Sequence, residues 1–215
     1  IIGAEFVRDV QPGEVVVIND DGVRSLQPFP KGTSQRFCVF EFIYFSRPDS
    51  VVEGVNVYGA RKRIGAELAR EHGIDADLVV PVPDSGVPGA IGFAEEADIP
   101  FELGIIRNHY VGRTFIEPTD SIRHLGVRLK HNANRATLTG KRVVLIDDSI
   151  VRGTTSTKIV ELVRAAGATE VHMRIASPPT AHPCFYGVDT PTEDQLLASQ
   201  MDVSAMAAHI GVDSL

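Results

Sequence analysis

The chain has 215 residues, 43% of them hydrophobic and 23% charged, with a net charge of −7. That length suits one sizeable α/β domain or one domain with appended pieces. The acidic balance argues against a nucleic-acid partner, which would need a basic patch that no run of the sequence supplies. No apolar stretch approaches the ~20 residues needed to cross a bilayer, so no membrane partner is expected. Two cysteines, Cys38 and Cys184, make no disulfide framework, and a cytoplasmic location is the expectation. The start, Ile1-Ile2-Gly3-Ala4-Glu5, has neither a Met nor the basic and apolar regions of a signal peptide. The chain is therefore read as a piece of a longer one.

In chain order, residues 1–35 read as a short β segment. Val15-Val16-Val17-Ile18 is a strand, Asn19-Asp20-Asp21-Gly22 a hairpin turn, and Val23-Arg24-Ser25-Leu26 the returning strand. Gln27 to Gly32 reads as a linker. A lone hairpin cannot hold a core, so this piece belongs against something else. Phe37 to Phe45 is a candidate buried strand, although Glu41 interrupts it. Val57 to His72 reads as a helix with Gly73 as its stop. Leu78 to Val82 is a short apolar strand, Asp84 to Gly89 a turn, and Ala90 to Ala97 a helix. Leu103 to Ile106 is another strand. Val143 to Ile146 is a fully apolar strand, Thr155 to Ala166 a helix with Ile159, Leu162 and Val163 on one face, and Val171 to Ala176 the next strand. This alternation predicts βαβ units and a mostly parallel sheet with helices on both faces. Between Arg107 and Thr139 the pattern fails, and the basic residues Arg107, Arg113, Arg123, Arg128, Lys130 and Arg135 suggest a lid or binding loop. Thr192 to Leu215 reads as one or two short helices without recognisable chemistry.

The chemistry concentrates after the strand at Val143. Two carboxylates, Asp147 and Asp148, emerge at its C-terminal end, where open α/β sheets bind ligands. Ser149, Ile150 and Val151 lead to Arg152-Gly153-Thr154-Thr155-Ser156 and into a helix. Gly153 permits close backbone approach, and the hydroxyls and N–H groups at a helix start favour phosphate. A carboxylate pair beside an anion cradle fits a phosphorylated sugar, its hydroxyls on the acids and Mg2+ nearby. Taken singly, the acids could cap a helix and the Gly-Thr-Thr could be an N-cap. Their order within one loop is what carries the reading.

That loop resembles the 5-phosphoribosyl-1-pyrophosphate (PRPP) motif of type I phosphoribosyltransferases. Further strings resemble the glutamine PRPP amidotransferase family: Phe42-Ile43-Tyr44-Phe45-Ser46-Arg47-Pro48-Asp49-Ser50, Pro81 to Pro88, Asn108 to Ile116, and Ser177-Pro178-Pro179. The resemblance implies a transferase forming phosphoribosylamine from PRPP and ammonia at the first committed step of purine synthesis. The ammonia comes from glutamine in the intact enzyme, and the N-terminal Cys nucleophile of its glutaminase domain has no counterpart in this chain. It implies that Asp84, Ser85, Gly86 and Val87 meet pyrophosphate. Asp147, Asp148, Ser149, Arg152, Gly153, Thr154, Thr155 and Ser156 would bind the ribose and 5-phosphate. Ser85, Asp147 and Asp148 would form the Mg2+ site, and Arg107, Arg113 and Lys130 would be lid cations acting on the leaving pyrophosphate. Some members carry a [4Fe-4S] cluster. Cys38 and Cys184 match two ligand positions, but a cubane needs four, so no intact cluster is expected in this chain alone.

Domain boundaries follow from the resemblance: 1–35 as the tail of an upstream glutaminase domain, 36–190 as the phosphoribosyltransferase, and 191–215 as a C-terminal helical segment. Homo-oligomers and feedback by purine nucleotides are implied as well. The competing readings are a non-catalytic PRPP or nucleotide sensor of the same fold and a nucleobase phosphoribosyltransferase.

Overall fold

The computed structural model describes residues 3–29, 36–108, 110, 131–188 and 190–215. The chain divides into two compact units, Ile1–Val39 and Phe40–Leu215. The first holds an antiparallel hairpin of β1 (Val15–Asn19) and β2 (Gly22–Leu26), with Val15 paired to Leu26 and Asn19 to Gly22. Gly22 takes a φ of 112°, a backbone conformation that disfavours any side chain. Within this unit Glu14 accepts hydrogen bonds from Arg8, the Gln11 N–H and the Ser25 hydroxyl.

The second unit is built on three parallel strands in the order β5, β8, β9: β5 (Leu78–Pro81), β8 (Arg142–Asp147) and β9 (Glu170–Ile175). All four residues of β5 and the last five of β8 are buried, as an apolar strand covered on both faces requires. Alternate side chains divide between two cores. Leu78, Val80, Val143, Leu145, Val171 and Met173 face one side, against Ile159, Val160 and Val163 of α4 (Thr154–Ala165). Val79, Val144 and Ile146 face the other, against Ala69 of α1 (Val57–Glu71) and Ala90, Phe93 and Ala94 of α2 (Val87–Ala97). Helices therefore cover both faces, as expected. Each fully buried side chain of this kind contributes on the order of 1.5–3 kcal/mol.

α1 and α2 meet at glycines. A Cβ on Gly65 would lie 1.9 Å from the Gly89 carbonyl oxygen, and one on Gly92 would lie 1.9 Å from that of Lys62. Only hydrogen fits there, so the two helices approach backbone to backbone. Asn56 starts α1 by accepting a 2.9 Å bond from the Gly59 N–H, an ordinary N-cap.

Two short antiparallel ladders lie outside the main sheet: β3 (Val51–Val52) with β4 (Val55–Asn56), and β6 (Ile105–Arg107) with β7 (His131–Ala133). Beyond β7, α3 (Arg135–Leu138) precedes β8. A 3-10 turn at Glu193–Gln195, α5 (Leu197–Gln200) and α6 (Val203–Ile210) close the chain. Leu197, Met206, Ile210 and Val212 enter the α4-side core, so the C-terminal residues pack into the same body as the sheet.

One expected element is different. Phe37 to Phe45 is not a strand: Glu41–Phe45 is a π-helical turn, and only Ile43 in it is buried. A short apolar run without alternation does not distinguish strand from helix. Here a side chain decides. Arg61 of α1 donates to the carbonyls of Phe42 (2.7 Å) and Ser46 (2.8 Å), and the Ser46 hydroxyl donates to Glu41 (2.6 Å), so the turn's polar groups find partners without a ladder. The strand expected at Leu103 begins at Ile105, with Leu103 half exposed and Gly104 held against Val80 and Leu138.

Candidate functional site

β8 delivers Asp147 and Asp148 to its C-terminal edge, where both are buried at 8% exposure. Backbone bonds fix them in place. The Ala176 N–H donates to the Asp147 carbonyl (3.0 Å) and the Ser177 N–H to that of Asp148 (2.9 Å). The Asp148 N–H donates to the Asp147 carboxylate at 2.9 Å, and the Ser149 hydroxyl donates to the Asp148 carboxylate. Burial, and then the neighbouring charge of Asp148, push the Asp147 carboxyl well above the usual carboxylate range.

The turn after β5 comes to the same edge. The Val82 N–H donates to the Ile146 carbonyl (2.9 Å) and the Gly86 N–H to the Val82 carbonyl (3.0 Å). A Cβ on Gly86 would meet the Ile146 carbonyl oxygen at 2.2 Å, so the turn can lie this close to β8 only with glycine there. A single pocket is lined by Ser85, Gly86, Asp147 and Asp148 together with Arg61 and Ile43. Two carboxylates and a hydroxyl form a hard-oxygen donor set that fits Mg2+. Val87 opens α2, half-buried. Asp84 is exposed, and Arg107, at the end of β6, forms an ion pair with it. One expected lid cation thus touches the expected pyrophosphate turn. Arg113 and Lys130 lie outside the described residues.

The 152–156 loop enters α4. Gly153 has a φ of 75° and, as a glycine at the N-cap, supplies no side-chain cap, leaving first-turn N–H groups for an anion. Ser156 is buried, while Thr154 and Thr155 are exposed. Arg152 points instead to Gln195, donating at 2.9 Å. The Leu197 N–H donates to the Val151 carbonyl at 2.9 Å, and the Leu197 side chain lies under Gly153, where a Cβ would meet its Cδ2 at 2.7 Å. The C-terminal segment, in which the sequence showed no chemistry, therefore buttresses this loop.

Arg61 was not among the residues expected from sequence. It is buried to 6% exposure, and burial lowers its guanidinium from its usual value while the charge of Asp148 opposes that shift. A signal for it exists in the sequence. Val57, Ala60, Arg61, Ile64, Gly65, Leu68 and Ala69 follow the helical repeat of the inward face, and a cation on that stripe is out of place unless it has partners.

Cys184 is half-buried. Its N–H donates to the Thr190 hydroxyl (2.7 Å), and the Tyr186 N–H donates to its sulfur (3.4 Å). The backbone N–H groups of Tyr186 and Val188 hold the thiol below its usual range. Cys38 is exposed and belongs to the first unit. Two thiols do not make up the four ligands of a cubane, and among the described residues no group of three or more His, Cys, Asp or Glu is placed to hold a metal.

Among the described residues no helix is long and apolar enough to cross a membrane. A phosphoribosyl transferase domain matches residues 49–177. The amidophosphoribosyltransferase of Rhizobium etli is 62% identical over the whole chain, which spans 44% of that protein, and that of Bacillus subtilis is 53% identical, with 45% of it spanned. The chain thus covers less than half the length of these curated relatives. A solved structure of glutamine PRPP amidotransferase from B. subtilis, complexed with ADP and GMP, superposes with a TM-score of 0.84 at 54% identity over 99% of this chain and 47% of that one. With the acidic pair, the glycine turn and the anion loop gathered on one sheet edge, and with the match spanning all of them, the chain belongs to the phosphoribosyltransferase family.

Proposed function

We propose that this chain is the PRPP-binding and phosphoribosyl-transferring part of an amidophosphoribosyltransferase. The observation that carries the reading is the buried Asp147–Asp148 pair facing the Ser85–Gly86 turn in one pocket. Asp147 and Asp148 would accept hydrogen bonds from the ribose hydroxyls and, with Ser85, hold Mg2+. When bound, Mg2+ would draw charge from the departing pyrophosphate oxygen. The N–H groups at the start of α4 and the hydroxyls of Thr154, Thr155 and Ser156 would bind the 5-phosphate. Ammonia would form the new C–N bond at the anomeric carbon as the C–O bond to pyrophosphate breaks, and the ammonium product would lose a proton to solvent. Arg107, Arg113 and Lys130 would neutralise the leaving group, Arg107 by exchanging Asp84 for pyrophosphate.

The relatives are about twice as long as this chain. On this reading residues 1–35 are the tail of a glutaminase domain that would deliver ammonia, and Cys38 and Cys184 supply two cluster ligands in the longer protein. The structural relative solved with ADP and GMP supports purine nucleotides as further ligands of this chain, acting as feedback regulators, and a homo-oligomer remains part of the proposal. The nucleobase-transferase and sensor readings have no observation of their own in their favour.

Calorimetry with PRPP and Mg2+ tests the proposal. Wild type should bind, and Asp147→Asn should weaken binding by about 100-fold or more, the scale of losing a charged group from a preorganised site. A folded wild-type chain without PRPP affinity would sink it. Pyrophosphate release with ammonia, set against a panel of nucleobases, separates the transferase readings.

A further inference from the structure

Arg61 combines three properties that a packing residue does not need. It is 94% buried, at 6% exposure. Its guanidinium holds two carbonyls of the Glu41–Ser46 segment, Phe42 at 2.7 Å and Ser46 at 2.8 Å. It also lines the pocket of Asp147, Asp148 and Ser85, within range of the Asp148 charge. Two carbonyls of one turn would be satisfied by any pair of donors. A full positive charge is costly to bury and is retained here beside two buried carboxylates. With both acids ionised, the three groups sum to one negative charge rather than two.

Resting on the functional reading above, we propose that Arg61 is a positioning residue that sets the charge of the acidic pair. It holds the site weakly attractive to a free divalent cation, so that the metal binds well only together with the pyrophosphate ester. The same fork locks the Phe42–Ser46 turn, with Ile43 forming one wall of the pocket. Free-metal affinity and pocket shape are therefore set by one side chain. A free metal ion bound tightly to Asp147 and Asp148 before the substrate would occupy the acids in a geometry of its own. A pair whose charge is partly offset stays open to the sugar hydroxyls.

The test measures free Mn2+ binding by electron paramagnetic resonance and, separately, PRPP binding with Mg2+ by calorimetry. Arg61→Met removes the charge and the fork. Free Mn2+ should bind about tenfold more tightly, since one opposing unit charge in a partly buried site has been lost, while PRPP binds at least about tenfold more weakly. Arg61→Lys keeps a charge but cannot reproduce the planar fork. Its Mn2+ affinity should stay within about twofold of wild type while PRPP affinity falls. A residue that serves packing alone would weaken both ligands together, and Mn2+ affinity unchanged or reduced in Arg61→Met overturns the proposal. If Arg61→Met does not unfold cooperatively, Arg61→Gln, which retains an amide donor without the charge, is read in the same way. Failure of the functional reading looks different: the wild-type chain would not bind PRPP at all, whatever Mn2+ does.

Discussion

The two ends of β8 carry the same chemical groups and use them in opposite ways. At its start Arg142 faces Asp75 (2.7 Å) and Asp77 (3.0 Å), and the Arg142 N–H also donates to Asp77 at 2.8 Å. Hydrogen bonds from Arg142 hold both carboxyls below their usual range. At its end Asp147 lies buried beside a second carboxylate and is pushed the other way. One strand thus begins with two acids hydrogen-bonded to one arginine within reach of solvent and ends with two buried acids that Arg61 meets through its charge, its hydrogen bonds going to the Phe42 and Ser46 carbonyls. The start is finished chemistry that anchors the strand. The end has unspent demand for a cation or donor, which is the condition for binding something else.

Neutralising one acid at each end should separate the two ends by the widest margin. Asp147→Asn should lose about 100-fold or more in PRPP affinity while leaving the empty protein at least as stable as wild type at neutral pH, because one of two buried acids that share a single nearby cation is gone. Asp77→Asn should do the reverse, lowering the midpoint of thermal unfolding while PRPP affinity stays within about twofold, as expected of sites without shared partners. Equal effects on affinity at both ends would break the contrast.

Glycines repeat the contrast at smaller scale. Gly86→Ala drives a Cβ to 2.2 Å from the Ile146 carbonyl oxygen and 2.8 Å from that of Val82. Backbone must move, at a cost of about 1–3 kcal/mol, and the Ser85 turn shifts away from the acids, so affinity falls with stability. Gly140→Ala, just before the start of β8, meets nothing within 4 Å but keeps a φ of 75°. It should cost only the left-handed backbone penalty, about 1–2 kcal/mol, with PRPP affinity unchanged. Denaturant unfolding alongside calorimetry reads both.

How much of this was legible follows from the range of the interactions. β8 and its loop could be read because their signals are local: an unbroken apolar run, two acids at its end, then a glycine and hydroxyls at a helix start. The parallel βαβ order followed from spacing. Phe37 to Phe45 misled because its conformation is set from outside, by Arg61, 19 residues away in sequence from Phe42. Arg61 itself left a mark as a cation on an inward helical stripe, but nothing local says that the stripe faces Asp148. Leu197 and Gln195 left no mark, since their place under Gly153 and beside Arg152 depends on how α5 returns to the sheet. Of the three expected lid cations, Arg107 has a position and a partner, Asp84, whereas Arg113 and Lys130 fall outside the described residues.

The smallest effect is the dependence of stability on pH, where the two ends should differ in sign. A carboxyl held below its ordinary value of 3.8, as at Asp75 and Asp77, binds its proton less tightly folded than unfolded. Its stabilisation is present above about pH 4 and is lost as the pH falls through the folded value. Asp147, raised well above 3.8, binds its proton more tightly when folded. Its contribution therefore declines as the pH climbs from about 4 toward the folded value, then levels off. Subtracting the thermal midpoints of Asp147→Asn from those of wild type should give a difference that grows more negative from pH 4 upward in metal-free buffer. The same subtraction for Asp77→Asn should give a positive difference that shrinks below pH 4. Mg2+ with PRPP should cancel the first trend and leave the second untouched, because only the Asp147 end has a ligand to supply the missing charge.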